Sequence, residues 1–433
     1  MSQFYTIFMT IWRIIIGIFR EFWWIILPLI LFNIFRDLLK LYLKELRKKE
    51  SNFICLQLLF SEEACLKPLR FMELFFDNLK NIKLEEDQNI SCEIVGIDNQ
   101  LKYFIRMPEK AQDLIAIILH SQYPNVELVQ VNDYFSRIPP NVPNNEFSFW
   151  SKEYKYKKGN PFPLLTYENF YNIKTQEKLK SSNITDNIIE PNSYDPLSVI
   201  IEIFNRIRPD DIISVQCIIR NLNDKEKTDW DFEAQSIYNP LIGKAAPQKP
   251  ESVGRILTKS IGDSLNSAIT SVITSAPTTT TVSTPKTPTD TEQATIKNIE
   301  KKISGTNYKS SIRLNYISRP TDFSNSVTTS LEMFLKQFNN PCGNSIEEIK
   351  NDAPLVKMKT KIRNKIFPYI PTQISRQMFQ KAINRKPSEK EIIISSKELA
   401  SIFHFPFQNI YLSSVVMKKN RPGSPPPNLP YIP

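Results

Sequence analysis

Apolar positions along this chain change their period several times, and each change marks an element. From Phe22 to Phe32 the run is unbroken, and Ile34 and Phe35 extend it. Lys40, Lys44, Arg47, Lys48 and Lys49 follow. An apolar run closed by a cationic collar predicts a single-pass membrane anchor lying in a lipid bilayer. At ~1.5 Å per residue, the stretch from Phe22 to Phe35 covers roughly 20 Å of a hydrocarbon core about 30 Å thick. Leu38, Leu39, Leu41, Tyr42 and Leu43 complete the span, with Arg36 and Lys40 snorkelling to the headgroups. In that register Trp23 and Trp24 sit at the interface, and residues 4–19 form an amphipathic helix on the surface. Pro28 is tolerated in a lipid-embedded helix. Extension backwards through Ile14 to Phe19 would instead put Arg20 and Glu21 near mid-membrane. A buried core helix fits less well, because bulky apolar residues surround the axis. A cleaved signal peptide lacks its cationic n-region and its Ala-x-Ala site. Cations after the run outnumber Arg13 and Arg20 before it, which predicts a cytoplasmic bulk on a cytoplasmic (inner) membrane.

Beyond residue 50 the pattern becomes globular. Residues 53–60 read as a strand, and Leu66, Leu69, Met72, Phe75, Phe76 and Leu79 recur at helical spacing. Residues 90–95 and 101–106 read as strands joined through the turn-forming pair Asp98-Asn99. Pro108 opens a helix through Leu119, and residues 126–131 close as a strand. The order β-α-β-β-α-β over residues 51–138 predicts a ferredoxin-like α+β domain.

Residues 139–154 read as a polar connector. A second α+β domain is predicted over residues 155–360, with residues 162–170 extended. Asp195 is a candidate N-cap for a helix whose face carries Leu197, Ile200, Ile201 and Phe204. Residues 212–219 form an apolar strand, 312–317 an alternating strand, 323–338 a helix and 355–359 a short strand. Between them lies an insertion, 223–305. It carries a helix near 230–242, an amphipathic stretch at 253–273, a Thr/Pro tract at about 276–290 and a helix at 291–304. The Thr/Pro tract cannot bury apolar surface and predicts a disordered, flexible linker. Without the insertion the order is again β-α-β-β-α-β, which predicts a duplicated ferredoxin-like architecture. In the segment 361–420, a strand from Ile392 meets Ser395 or Ser396 as N-cap of a short helix that stops before Pro406. The Pro-rich tail, 421–433, reads as an extended, polyproline II segment suited to lying on a partner, or equally well as a disordered end with no partner.

Composition narrows the chemistry. Of 433 residues only 9 are Gly and 31 are Pro, which argues against Gly-rich phosphate loops. No G-x-x-x-x-G-K-[ST] motif occurs. The net charge of +10 suits anionic headgroups or solubility, and leaves nucleic-acid binding open. The 5 cysteines, Cys55, Cys65, Cys92, Cys217 and Cys342, are widely spaced and include no C-x-x-C pair, so neither a disulfide framework nor a zinc site is expected. His120 and His404 fit structural roles better than a general base. Glu62-Glu63 and Asp210-Asp211 fit helix-start and turn electrostatics. No catalytic, cofactor-binding or metal-binding residue is predicted, and the reading is of a non-enzyme.

Several motifs, taken in order, resemble a bacterial family of membrane-anchored proteins related to the N-terminal, non-ATPase portion of conjugative, type IV secretion ATPases. They are the Trp-rich anchor from Phe22 with its central Pro28, and Lys102-Tyr-Phe-Ile-Arg-Met-Pro108 followed by Ser121-Gln-Tyr-Pro-Asn-Val-Glu127. Next come Asp195-Pro-Leu-Ser198 to Arg206-Ile-Arg-Pro209, then Val215-Gln-Cys-Ile-Ile-Arg220. The last are Ser396-Lys-Glu-Leu-Ala-Ser-Ile-Phe-His-Phe-Pro406 and Pro425-Pro-Pro-Asn-Leu-Pro430. Asp210 replaces the glycine of the family's "RPGE" turn. In similar chains the "PPPNLP" segment leads into a P-loop ATPase domain, whereas this sequence stops there. The resemblance therefore implies a separate ATPase polypeptide as partner, with Pro425, Pro426, Pro427, Asn428, Leu429 and Pro430 as the candidate docking segment. It also implies an assembly or scaffold role in a secretion or conjugation-like machine. Edge strands of ferredoxin-like units would permit homo-oligomers. A membrane-tethered nucleic-acid-binding module is the alternative.

Overall fold

The computed structural model describes residues 52–85, 88–170, 194–245, 247, 289–350 and 369–406, with scattered positions between Met9 and Leu39. Met1–Phe53 and Ile54–Pro433 are two compact units. In the first, the described positions are helical and exposed. Among the described residues, no helix is long and apolar enough to cross a membrane. Pro28 and Phe35 of the predicted anchor are among those exposed helical positions; Phe22, Trp23, Trp24, Lys40 and Lys44 lie outside the described residues.

The second unit is α+β. Its strands are β1 (Phe53–Leu59), β2 (Ile90–Ile97), β3 (Gln100–Pro108), β4 (Glu127–Val131), β5 (Ser148–Tyr156), β6 (Ile212–Asn221), β7 (Asn307–Ser318), β8 (Ile346–Glu348) and β9 (Ile392–Ser395). Its helices are α1 (Glu62–Cys65), α2 (Arg70–Leu79), α3 (Gln112–Gln122), α4 (Tyr167–Phe170), α5 (Leu197–Phe204), α6 (Asp224–Leu241), α7 (Asp290–Ser304), α8 (Asn325–Lys336), α9 (Tyr369–Ile383) and α10 (Ser396–Ile402). All the strands join one 9-stranded sheet in the order β4-β1-β3-β2-β6-β7-β5-β8, with β9 pairing β7 beyond the end of β5. The first half of the sheet thus runs 4-1-3-2. The second half repeats that order in reverse. The seam is an antiparallel β2–β6 ladder in which Cys92 faces Cys217 and Glu93 faces Gln216.

Local chemistry explains most boundaries. Asp98 and Asn99 both hold φ 57°, the left-handed pair that a two-residue hairpin between β2 and β3 requires. The N-cap of α5 is Pro196 rather than the expected Asp195, whose Oδ1 accepts from the Leu197 N–H at 2.7 Å in the turn that leads into the helix. Asn223 caps α6 in a reciprocal box with Glu226, Thr289 caps α7 with Glu292, and Ser395 caps α10 with Glu398. The helix near 230–242 therefore starts earlier than expected, at Asp224, because its first turn is polar and set by the cap rather than by an apolar stripe.

Elsewhere the structure corrects the sequence reading. The expected connector 139–154 contains β5, which pairs with β7 along Ser148–Tyr154. Its Ser151 and Glu153 alternate with Trp150, Lys152 and Tyr154, a pattern that reads as a solvated ribbon until the polar face is covered. Residues 162–170 contain no strand; they end in the single turn α4. The predicted strand 355–359, the stretch 253–273, the Thr/Pro tract up to residue 288 and the tail 421–433 lie outside the described residues. The short edge strand after α8 is β8.

The two faces of the sheet bury different chemistry. On one face Cys92, Ile94, Tyr103, Ile105, Val215, Cys217, Ile312, Leu314 and Tyr316 pack under α2, α3, α5, α8 and α10. A Leu or Phe fully buried there contributes about 1.5–3 kcal/mol over an exposed one. On the other face Val95, Ile97, Phe104, Phe149 and Ile317 pack against Phe135, Ile138 and, from α9, Phe379 and Ala382.

Candidate functional site

Under α9, the sheet carries a buried row of polar residues. Glu93 on β2 faces Gln216 on β6, Gln216 faces Arg313 on β7, and Arg313 faces Glu153 on β5. Glu93, Gln216 and Arg313 are fully buried and Glu153 is nearly so. Arg313 donates through Nε to Glu153 Oε1 at 3.1 Å and through Nη1 to Gln216 Oε1 at 3.3 Å. It also donates to the carbonyls of Lys381 at 3.0 Å and Lys386 at 2.7 Å, so it holds the end of α9 onto the sheet.

Arg385, just past α9, enters the same row from above. Its left-handed backbone, φ 46°, turns the side chain back beneath the helix. Nε donates to Glu93 Oε1 at 2.8 Å and Nη2 to Glu93 Oε2 at 3.2 Å. Nη2 also reaches Asp133 Oδ1 at 3.0 Å, and the guanidinium lies 5.2 Å from the Tyr134 ring centroid and 5.0 Å from that of Phe135. Tyr134 Oη and Ser91 Oγ each donate to Glu93 at 2.6 Å. Burial pushes the Glu93 carboxyl up, but Arg385 and these hydroxyls outweigh it and hold the pKa below the ordinary value. With Arg106 3.9 Å from Asp133, the cluster sets three carboxylates (Glu93, Asp133, Glu153) against three guanidiniums (Arg106, Arg313, Arg385). Such a closed, charge-balanced set fixes register and orientation.

A second buried pair ties the C-terminal segment to the second half. Lys302 Nζ on α7 lies 3.0 Å from Glu398 Oε2 on α10, with side chains 1% and 0% exposed. Glu398 also accepts from the Leu164 N–H at 2.7 Å and the Ser395 N–H at 2.7 Å. Burial lowers the Lys302 pKa, and Glu398 pulls it back up. Past α10, Phe403 and Phe405 pack edge-on against Tyr103, and Phe405 stacks on Phe60 at 4.3 Å. His404 between them is buried. One ring nitrogen, Nε2, lies 3.1 Å from Asp195 Oδ1, and Nδ1 has no hydrogen-bond partner. The segment 392–405 is thereby woven into β7, α7, α5 and the first half at once.

His120 Nε2 lies 2.9 Å from the Val126 carbonyl. Glu62 and Glu63 occupy the first turn of α1. Asp211 accepts from the Arg208 N–H in the turn after α5, and Asp210 pairs with Arg319 at 2.5 Å. A cleft of about 830 Å³ opens beside that turn, between α5 and α8, lined by Ser198, Asn205, Arg208, Tyr316, Ser326 and Met333. Its cations are engaged: Arg206 with Glu202 at 2.8 Å and Arg208 with Asp322. Among the described residues, no group of three or more His, Cys, Asp or Glu is placed to hold a metal. The docking residues Pro425, Pro426, Pro427, Asn428, Leu429 and Pro430 lie outside the described residues.

The sequence reading singled out none of Glu93, Glu153, Arg313, Arg385, Lys302 and Glu398. The available signal was polar residues at every second position of otherwise apolar strands: Ser91 and Glu93, Ser214 and Gln216, Arg313 and Asn315. That alternation ordinarily marks a solvated face. No protein-family model matches the chain, and no curated protein is significantly similar to it.

Proposed function

We propose that this protein is a membrane-anchored, non-enzymatic assembly component of a type IV secretion or conjugation-like machine. In this reading the apolar segment from Phe22 holds it in the cytoplasmic membrane, and it docks a separate P-loop ATPase. The observation that carries the reading is the weaving of 392–405 into both halves of the sheet. Buried pairs and aromatic packing fix the point from which the chain continues toward the Pro-rich tail. A platform that holds a partner-binding segment needs such a fixed base, since each degree of freedom removed beforehand lowers the entropy lost on docking. The strand orders 4-1-3-2 and its reverse support the finer view of two ferredoxin-like units fused edge to edge. The sequence resemblance to the N-terminal portion of secretion ATPases supports the choice of partner.

The test is affinity capture of the full-length protein from detergent-solubilised native membranes, with partners identified by mass spectrometry. Recovery of a P-loop ATPase, lost when residues 422–433 are deleted, supports the reading. Capture without any ATPase, joined to salt-dependent DNA binding by the same preparation, would replace it with the nucleic-acid-binding alternative.

A further inference from the structure

The sheet has two outer edges, and they are built differently. At one end β8 is 3 residues long, and its Glu347 and Glu348 pair with Lys155 at 3.0 Å and Lys152 at 2.8 Å. A short, charged edge resists further pairing. At the other end β4 is 5 residues, Glu-Leu-Val-Gln-Val, without Lys or Pro. It pairs with β1 along one side and, among the described residues, with no strand along the other. A groove of about 470 Å³ lies between β4 and α3, lined by Asp113, Ala116, His120, Val126 and Leu128. On α3, Leu114 and Ile117 are 50% and 65% exposed, one helical turn apart, on a helix whose buried residues are Ile115 and Leu119.

We propose that β4 is a self-association edge, on which the β4 of a second copy of this chain adds antiparallel about a two-fold axis through Val129. The register supports this occupant. In an antiparallel self-pairing centred on Val129, Glu127 falls opposite Val131 and Leu128 opposite Gln130, so no like charges meet. The chain already uses this mode of joining, since its own two halves fuse through an antiparallel edge ladder between β2 and β6. Symmetry favours β4 on β4 over β4 on β8. The isologous contact closes into a dimer, whereas the head-to-tail contact grows an open filament and meets the charged edge. This inference stands independently of the secretion reading.

The full-length protein in detergent micelles is examined by sedimentation velocity over a range of protein concentrations. In parallel, Val129→Cys is made in a Cys342→Ser background and oxidised mildly. A reversible dimer is expected, with rapid disulfide-linked dimerisation of Val129→Cys. A control Glu389→Cys, at a side chain 87% exposed and remote in sequence, should not link. The variant Val129→Lys sets two like charges opposite each other on the two-fold axis, and should weaken dimerisation about tenfold or more while the circular dichroism spectrum is unchanged. A monomer at every concentration would overturn the inference. So would a dimer in which Val129→Cys links no faster than Glu389→Cys.

Discussion

Arg385 and Glu93, 292 residues apart in sequence, meet beneath α9 with Nε 2.8 Å from Oε1 and both side chains fully buried. One lies past the last long helix and the other on the seam strand between the halves. Their pairing therefore closes the second face of the sheet. Removing the guanidinium strands a carboxylate in a dry site, and Arg385→Ala should cost about 3–5 kcal/mol. Arg385→Lys should recover part of this, because an ammonium cannot reach Glu93 and Asp133 together with a planar fork. Urea denaturation followed by circular dichroism checks the order wild type, Lys, Ala. Equal stability of Ala and wild type would refute the role.

Gly96 on β2 touches Phe204 on α5 so closely that a Cβ there would lie 1.4 Å from the Phe204 ring. The Phe204 ring must therefore move to admit any side chain at residue 96. Gly96→Ala should destabilise by about 1–3 kcal/mol through overpacking, and Phe204→Leu in the same chain should return part of the loss. Thermal unfolding of the single and double variants reads this coupling. Simple additivity of the two substitutions would count against it.

Phe405 stacks on Phe60 and packs edge-on to Tyr103 and Tyr123. Phe405→Ala should cost about 3–5 kcal/mol. It should also raise the rate of protease cleavage between Phe403 and Pro406 well before global unfolding, because the end of the segment loses its aromatic anchor on the first half while Arg385 and Phe403 keep theirs. Cleavage sites mapped by mass spectrometry decide between local release and uniform loss.

Glu226 closes the capping box of α6 by accepting from the Asn223 N–H, and accepts from Arg220 at 2.8 Å through each carboxylate oxygen. Arg220 and Lys309 hold its pKa down at about 2, against an ordinary 4.5. A carboxylate depressed in the folded state stabilises above its ordinary pKa, and that contribution is lost as pH falls toward the folded value. Acid titration of the wild type should therefore show added loss of stability between pH 4.5 and about 2. The Glu226→Gln variant should lack that increment. Superimposable titrations of the two proteins would contradict the assignment.

Burial pushes the Cys55, Cys65 and Cys217 thiols up to about 12, and Cys92 is also raised; Cys342 alone is half-buried. At neutral pH a maleimide should label Cys342 first and the other four only on unfolding. Early labelling of Cys92 or Cys217 would show that the β2–β6 seam opens.

Much of the second unit was written locally. Ser395 followed three positions later by Glu398 dictates both the end of β9 and the start of α10, because a capping box involves only near neighbours. Asp98-Asn99 dictates the hairpin between β2 and β3 in the same way, and the apolar stripe of α8 needs only helical spacing. The α+β class and the succession of most elements follow from such short-range chemistry. The sequence could not reveal which polar faces lie under cover. Ser151, Glu153, Arg313 and Asn315 carry the alternation of a solvated strand, and only α9, more than fifty residues further along, makes that face interior. Nor could it reveal that β2 and β6 pair, that residues 392–405 thread both halves, or that β4 has no second partner strand among the described residues while β8 is guarded. Those outcomes depend on contacts between residues far apart in the chain. Their energies exist only once the sheet has brought the partners together, so tertiary structure alone decided them.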